Sequence, residues 1–324
     1  MASTRLPRFK RVPEIAPIQL TRRDRDIIRQ VHRHRFLRSS HIIQIIGGSE
    51  QQILRRLQSL YHHGYLDRPR SQIDYFHRGG SHQMVYGIGN KGAALLRDKA
   101  GLDLPELDWS QKNREAGRLF LEHALLISDV MVSLEIACRR SGRVRFWADE
   151  DLPLPESARR LSEPLQWNVK FHGQTRLGLI PDRVFALEFL DQPSARNRAF
   201  YFFEADRGTM PIKRRSLKQT SFHRKLVAYE ATWKQKLHQS RFGFPRFRVL
   251  TVTTSAARAR NLASMASRLE SGHGLFLFTD AEAFRAHPDP LSLPWEKPRS
   301  GEAESLLGSS EPRWPGDRAK SMSE

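Results

Sequence analysis

Two stretches of this 324-residue chain bring together residue types that could do chemistry. The first is Ala199-Phe200-Tyr201-Phe202-Phe203-Glu204-Ala205-Asp206, in which five apolar or aromatic residues run into two carboxylates. Such a run, bounded by polar residues, fits a β-strand buried on both faces. Side chains alternate along a strand, so Glu204 and Asp206 fall on the same side. A carboxylate at the end of a buried strand needs a cation or hydrogen bonds to offset its lost hydration. Asp182, in the turn Pro181-Asp182 before the preceding strand, is the third acid of the set. Three hard oxygen donors converging on one point suit magnesium or manganese, which makes Asp182, Glu204 and Asp206 the candidate metal ligands. An ion-pair network with Arg207, Lys213 or Lys225 is the alternative that uses the same carboxylates without catalysis.

The second stretch is Ser49–Leu60. Ser49 caps a helix with Gln52 at the capping-box position, and Ile53, Leu54, Leu57 and Leu60 form its apolar stripe. Around that stripe lie Gln51, Gln52, Arg55, Arg56 and Gln58, whose side chains match guanine and adenine edges in a major groove. Upstream, Thr21 caps a helix carrying Ile27, Ile28 and Val31. A short helix from Ser39 or Ser40 carries Ile42, Ile43, Ile45 and Ile46 and is broken by Gly47-Gly48. Downstream, Tyr65-Leu66-Asp67 and Gln83–Ile88 read as two strands around the turn Arg78-Gly79-Gly80-Ser81, and Asn90 opens a last helix. Three helices and a hairpin are the order of a winged helix-turn-helix, with Arg68, Arg70, His77 and Arg78 placed to meet phosphates. His62-His63 are adjacent on a helix end and point apart, so they read as packing residues and not metal ligands.

Charge supports a polyanionic partner. The chain carries 54 Lys and Arg against 35 Asp and Glu, a formal +19. The first 100 residues hold 19 of those bases and 7 of the acids, hence +12. Double-stranded DNA is the expected partner, and its binding requires no cofactor. The lone Cys138 excludes an intramolecular disulfide framework and any zinc site built on paired cysteines. No run is long and apolar enough for a membrane span, and Met1–Val12 lacks the apolar core of a secretory leader, so a cytoplasmic protein is expected. A phosphate-binding loop of the G-x-x-x-x-G-K-[ST] form is missing from the sequence, which disfavours an ATP-driven motor.

The remaining elements must position the carboxylates. Leu119–Arg140 reads as a long helix with Leu119, Leu126, Val130, Leu134 and Ala137 in one seam and Phe120 widening it; Glu122, His123 and Asp129 are its notable polar residues. Val144–Ala148, Arg176–Ile180, Val184–Phe189, Arg248–Thr253 and Leu275–Thr279 read as strands. A basic helical region with Lys213, Arg214, Arg215 and Lys218 leads into a helix over Ser221–Trp233, where Lys225 and Tyr229 share a face. Ala256–Leu269 reads as a helix exposing Arg258 and Arg260. The strand–helix–strand ending implies a parallel pair and an α/β domain. The expected organisation is a basic arm (1–15), a winged helix-turn-helix (16–105), a linker (106–117), an α/β domain (118–283) and a disordered Pro-rich tail (284–324).

The winged-helix start, Glu122-His123, Ile180-Pro181-Asp182, Phe203-Glu204-Ala205-Asp206-Arg207-Gly208-Thr209 and Lys225-Leu226-Val227-Ala228-Tyr229 together resemble the replication-relaxation family of plasmid and mobile-element proteins. The likeness runs from about Thr21 to Asp280. The second module also resembles the PD-(D/E)xK nuclease fold, with Asp182 matching its first acid and Glu204 its second. That resemblance implies a restriction-endonuclease-like α/β domain with a mixed central sheet. It also implies catalytic roles for Asp182, Glu204, Asp206 and Lys225 around Mg or Mn. Where the nuclease pattern has its lysine, this sequence has Asp206, which adds negative charge; Lys225 would have to supply the cation from the next helix.

The expected function is that of a double-stranded DNA-binding protein of a plasmid or integrative element. It would act in replication, relaxation or transfer through the winged helix and a non-catalytic nuclease-like domain. Replication or conjugation proteins, and a second copy in a homodimer, are compatible further partners. Two other readings use the same residues: an active metal-dependent endonuclease, and a transcriptional regulator whose C-terminal domain dimerises or senses.

Overall fold

A computed structural model of the chain describes residues 6–13, 15–73, 83–101, 104, 106–171, 175–193, 197–299 and 301–308. Compactness divides it into two units, Met1–Val132 and Ser133–Glu324.

The first unit opens with α1 (Arg22–His34), fixed at its start by a reciprocal cap between Thr21 and Asp24. A short strand, β1 (Phe36–Arg38), which the sequence pattern did not announce, leads directly into α2 (Ser39–Ile46). Gly47 and Gly48 then adopt φ of 70° and 93°. That left-handed backbone costs a glycine little and ends α2 before Ser49 caps α3 (Glu50–His62). Next come β2 (Leu66–Asp67), β3 (Val85–Ile88) and α4 (Asn90–Ala100). The strands form an antiparallel sheet in the order β1-β3-β2. Ile27, Ile28, Val31, Ile42, Ile53, Leu57 and Leu60 are buried and make the core of this unit. Leu54, expected in the buried stripe, is 40% exposed.

Residues 106–117 were expected to be a linker, but they carry α5 (Trp109–Glu115). Its Asn113 is buried, donates to the Ile88 carbonyl at 2.8 Å and accepts from Arg35 at 2.8 Å. Such polar anchors have no hydrophobic period, which is why the segment reads as a linker. The long helix α6 (Arg118–Ser141) follows, and the boundary between the units falls within it. Its buried seam begins at Leu121, with Ala124 and Leu125 packed on Phe36 and Val85. Leu119 and Phe120, expected to be in that seam, are 64% and 49% exposed.

The second unit continues with β4 (Val144–Trp147), α7 (Glu156–Arg159), the hairpin of β5 (Trp167–Phe171) and β6 (Thr175–Leu179), then β7 (Arg183–Phe189) and β8 (Arg198–Ala205). After them come α8 (Phe222–Lys234), α9 (Leu237–Ser240), β9 (Arg248–Thr253), α10 (Ala256–Ala266), α11 (Gly272–Leu275) and β10 (Phe276–Asp280). The chain then adds α12 (Ala281–Ala286), β11 (Trp295–Glu296) and β12 (Ala303–Glu304). The main sheet is mixed, in the order β12-β11-β10-β9-β8-β7-β4. Its centre is parallel, β8 with β9 and β9 with β10, while the other pairings are antiparallel. The fold is a mixed α and β architecture consistent with an α/β nuclease-like second module.

Two expectations fail in this unit. The stretch around Lys213–Lys218 is irregular, and helix begins only at Phe222 behind the Ser221 cap. Its apolar residues Met210, Ile212 and Leu217 pack on the core at spacings of two and five, which no helical face provides. The expected disordered tail carries packed structure within residues 284–299 and 301–308: Trp295 is fully buried, and Leu291, Leu293 and Leu306 are buried. Arg248 donates to Glu304 at 2.5 Å, tying β12 back to the sheet. Residues 309–324 lie outside the described residues.

Candidate nucleic-acid interface and carboxylate cluster

Helix α3 divides into two faces. Ile53, Leu57 and Leu60 are buried, whereas Gln51, Gln52 and Arg55 are exposed. Arg23, exposed in the first turn of α1, reaches Gln52 at 3.5 Å, and Thr21, Arg22, Arg23, Gln52, Arg55 and Arg56 line a shallow depression.

Two of the expected contact residues have partners within the fold. Arg56 is half-buried and binds the fully buried Asp24 at two points, 2.9 and 2.5 Å, with a third bond to the Gln19 carbonyl at 3.0 Å. Burial alone would raise the Asp24 carboxyl, but hydrogen bonds from Arg56 and Thr21 outweigh it and hold it below its ordinary value. Arg68 is buried: it donates to the Arg8 carbonyl at 2.7 Å and to the Tyr86 hydroxyl at 3.2 Å, and it lies over the Tyr61 ring at 4.1 Å. Both arginines therefore hold partners within the fold. Arg70 is exposed, and Arg78 and His77 lie outside the described residues. The two histidines are occupied as expected of packing residues: His62 accepts from the Val12 amide, and His63 meets the Ser59 and Ala16 carbonyls.

In the second unit, alternation along β8 puts Phe202 and Glu204 toward α8, whose Tyr229 lies 5.6 Å from the Phe202 ring. Glu204 is 1% exposed. One of its oxygens accepts from Lys225 Nζ at 2.5 Å and the other from the Tyr229 hydroxyl at 2.6 Å. Lys225 and Tyr229 are one helical turn apart, so a single face of α8 delivers both donors. Burial pushes the Glu204 carboxyl up to about 7, opposed by Lys225 and reinforced by Asp182. Burial also works against the Lys225 ammonium, yet Glu204 and Asp182 outweigh it and raise its pKa. Tyr229 is raised well above its ordinary value by burial and by Glu204, so it acts as a neutral donor. Asp182 bridges the ends of β7 and β8: its amide donates to the Phe203 carbonyl at 3.0 Å and its carboxylate accepts from the Ala205 amide at 2.7 Å.

Asp206 turns to different partners. It accepts from Thr253 at 2.6 Å, from Arg258 at 2.5 and 3.0 Å, and from the Gly208 amide at 3.3 Å. Arg258, expected to be an exposed helix residue, is thus a clamp that also holds the Met210 carbonyl at 2.7 Å. Nothing in the helical period of α10 marked it; the spare charge on Asp206 was the available signal. The donor set does not fit a divalent ion, because each oxygen of Glu204 and of Asp206 already has a cationic or hydroxyl partner. Among the described residues, no group of three or more His, Cys, Asp or Glu is arranged to hold a metal. Nor, among those residues, is any helix long and apolar enough to cross a membrane.

No curated protein and no solved structure matches the chain. Residues 28–246, about two thirds of its length, match the replication-relaxation family. The match spans α3, β8 and the Lys225–Tyr229 face of α8, and the chain belongs to the replication-relaxation family.

Proposed function

We infer that the chain is a cytoplasmic, double-stranded DNA-binding protein of a plasmid or integrative element. Family membership points to replication or relaxation as its setting, with replication or conjugation proteins as further partners. The observation that carries the DNA reading is α3: it is anchored on one face by Ile53, Leu57 and Leu60 and leaves Gln51, Gln52 and Arg55 exposed on the other. It sits in a helix-and-hairpin order suited to laying such a helix in a major groove. Arg55 suits a guanine edge, Gln51 and Gln52 an adenine edge, and Leu54 a thymine methyl. Arg22, Arg23 and Arg70 meet phosphates.

The second unit acts in this reading without catalysis. Glu204 and Asp206 each have a protein cation as a hydrogen-bond partner, and Asp206 stands where a nuclease would present its lysine. The test is equilibrium binding of the full chain to duplexes selected from a random library. Arg55→Ala and Gln52→Ala should each lose about 1–3 kcal/mol of preference for the selected sequence over a scrambled one. Unchanged preference in both variants would reject α3 as the reader.

A further inference from the structure

We propose that the loop between β8 and α8 is a second DNA-backbone contact, carried by the nuclease-like unit and separate from α3. The proposal rests on the reading of the chain as a DNA-binding protein but not on the choice of reading helix.

Residues 207–221 contain Arg207, Lys213, Arg214, Arg215 and Lys218 and no acidic residue. Lys213, Arg214, Arg215 and Lys218 are exposed, and none of the five forms an ion pair among the described residues. Elsewhere in this unit basic residues are commonly paired: Arg145 and Arg198 with Glu188, Lys225 with Glu204, Arg248 with Glu304, Arg258 with Asp206. Unpaired like charges held close together repel one another, so their grouping costs stability unless a polyanion neutralises them.

The loop is also held in place. Met210, Ile212 and Leu217 pack inward on the core, the Arg258 guanidinium binds the Met210 carbonyl, and the Phe222 and His223 amides donate to the carbonyls of Pro211 and Ile212 at 3.0 and 2.8 Å. Apolar residues are therefore turned in and bases out along one anchored segment. That is a preorganised ridge of cations that need not be ordered on binding. Its two ends are fixed by the residues of the buried cluster, Asp206 at one and Lys225 at the other, so a bound backbone would run beside that cluster. Successive phosphates of duplex DNA fit such a row because their charge is closely spaced and their recognition needs no base contact.

The test replaces Lys213, Arg214, Arg215 and Lys218 together by Gln in the full chain. Duplex affinity is then followed from low to moderate salt, with unchanged thermal unfolding as the check on folding. Each phosphate contact contributes about 0.9 to the slope of log affinity against log salt, so the slope should fall by about 3–4. Over a fourfold rise in salt, the variant should then lose about 10²-fold less affinity than the wild type. Sequence preference should survive, since α3 is intact. A slope that stays at the wild-type value would overturn the proposal, as would retained DNA binding with loss of capture by an acidic protein partner, which would assign the ridge to protein. If instead Arg55→Ala leaves preference unchanged while the loop variant loses slope, the α3 reading fails and the backbone contact stands.

Discussion

Arg56 closes on Asp24 at two points, its Nε 2.9 Å from one carboxylate oxygen and its Nη2 2.5 Å from the other, and so joins α3 to the capped start of α1. Asp24 is fully buried, so removing its cation would strand a desolvated charge. Arg56→Met should destabilise the chain by on the order of 3 kcal/mol in urea denaturation, with little change in the salt slope of DNA binding. Its depressed carboxyl pKa sets the pH dependence. The contribution is intact above the ordinary value of 3.8 and is lost as pH falls through the lower folded value. Loss of DNA affinity in Arg56→Met without loss of stability would return this residue to the interface.

Glu204 makes the opposite pH prediction. Its folded pKa, about 7, lies above the ordinary 4.5, so between those values the folded chain keeps a proton that the unfolded chain has released. Stability contributed by this group is present below 4.5 and is lost as pH rises through about 7. The slope is up to about 1.4 kcal/mol per pH unit. Denaturation at about pH 5 and about pH 7.5 should show this decline in the wild type and a smaller one in Glu204→Gln. Identical slopes would mean that Glu204 is ionised throughout.

How far the sequence carries depends on what kind of force makes each feature. Apolar periodicity marked α1, α3, β7, β8 and β9 closely, because burial of a face leaves a period. The spacing of Lys225 and Tyr229 announced a shared helix face, and both meet Glu204. Features made by single polar bonds left no period. Asn113 turned an expected linker into α5, and Arg56 and Arg68 satisfy buried partners that only the folded chain brings near. The three carboxylates lie near enough for all of them to act on Lys225, but strand alternation fixes a side and not the partner: α8 supplies the donors to Glu204, and α10 the cation on Asp206.

The C-terminal hairpin is a second such case, with Pro and Ser residues masking a buried anchor. Trp295 is fully buried beside Phe284 at 6.2 Å between ring centroids. Trp295→Ala should cost about 3–5 kcal/mol, read as a lowered urea midpoint. Glu304→Gln should also destabilise, because it weakens the tie on the buried Arg248. A wild-type midpoint in Trp295→Ala would show that this segment contributes nothing to the core.

For the carboxylate cluster the expected outcome is indifference to divalent ions. Millimolar magnesium or manganese should leave the melting temperature unchanged, since a ligand stabilises only a fold that binds it. Supercoiled plasmid should remain intact in manganese. A metal-dependent rise in melting temperature that vanishes in Glu204→Gln, together with nicking lost in Asp182→Asn, would establish the endonuclease instead.

Whether α3 reads duplex DNA is decided by sequence preference in the Gln52→Ala, Arg55→Ala double variant of the full chain. Both residues are exposed, so the fold should be retained. Preference for the selected duplex over a scrambled one should fall by about 2–6 kcal/mol, two contacts at ~1–3 each, while binding to the scrambled duplex persists through backbone contacts. Preference equal to that of the wild type would contradict the α3 reading.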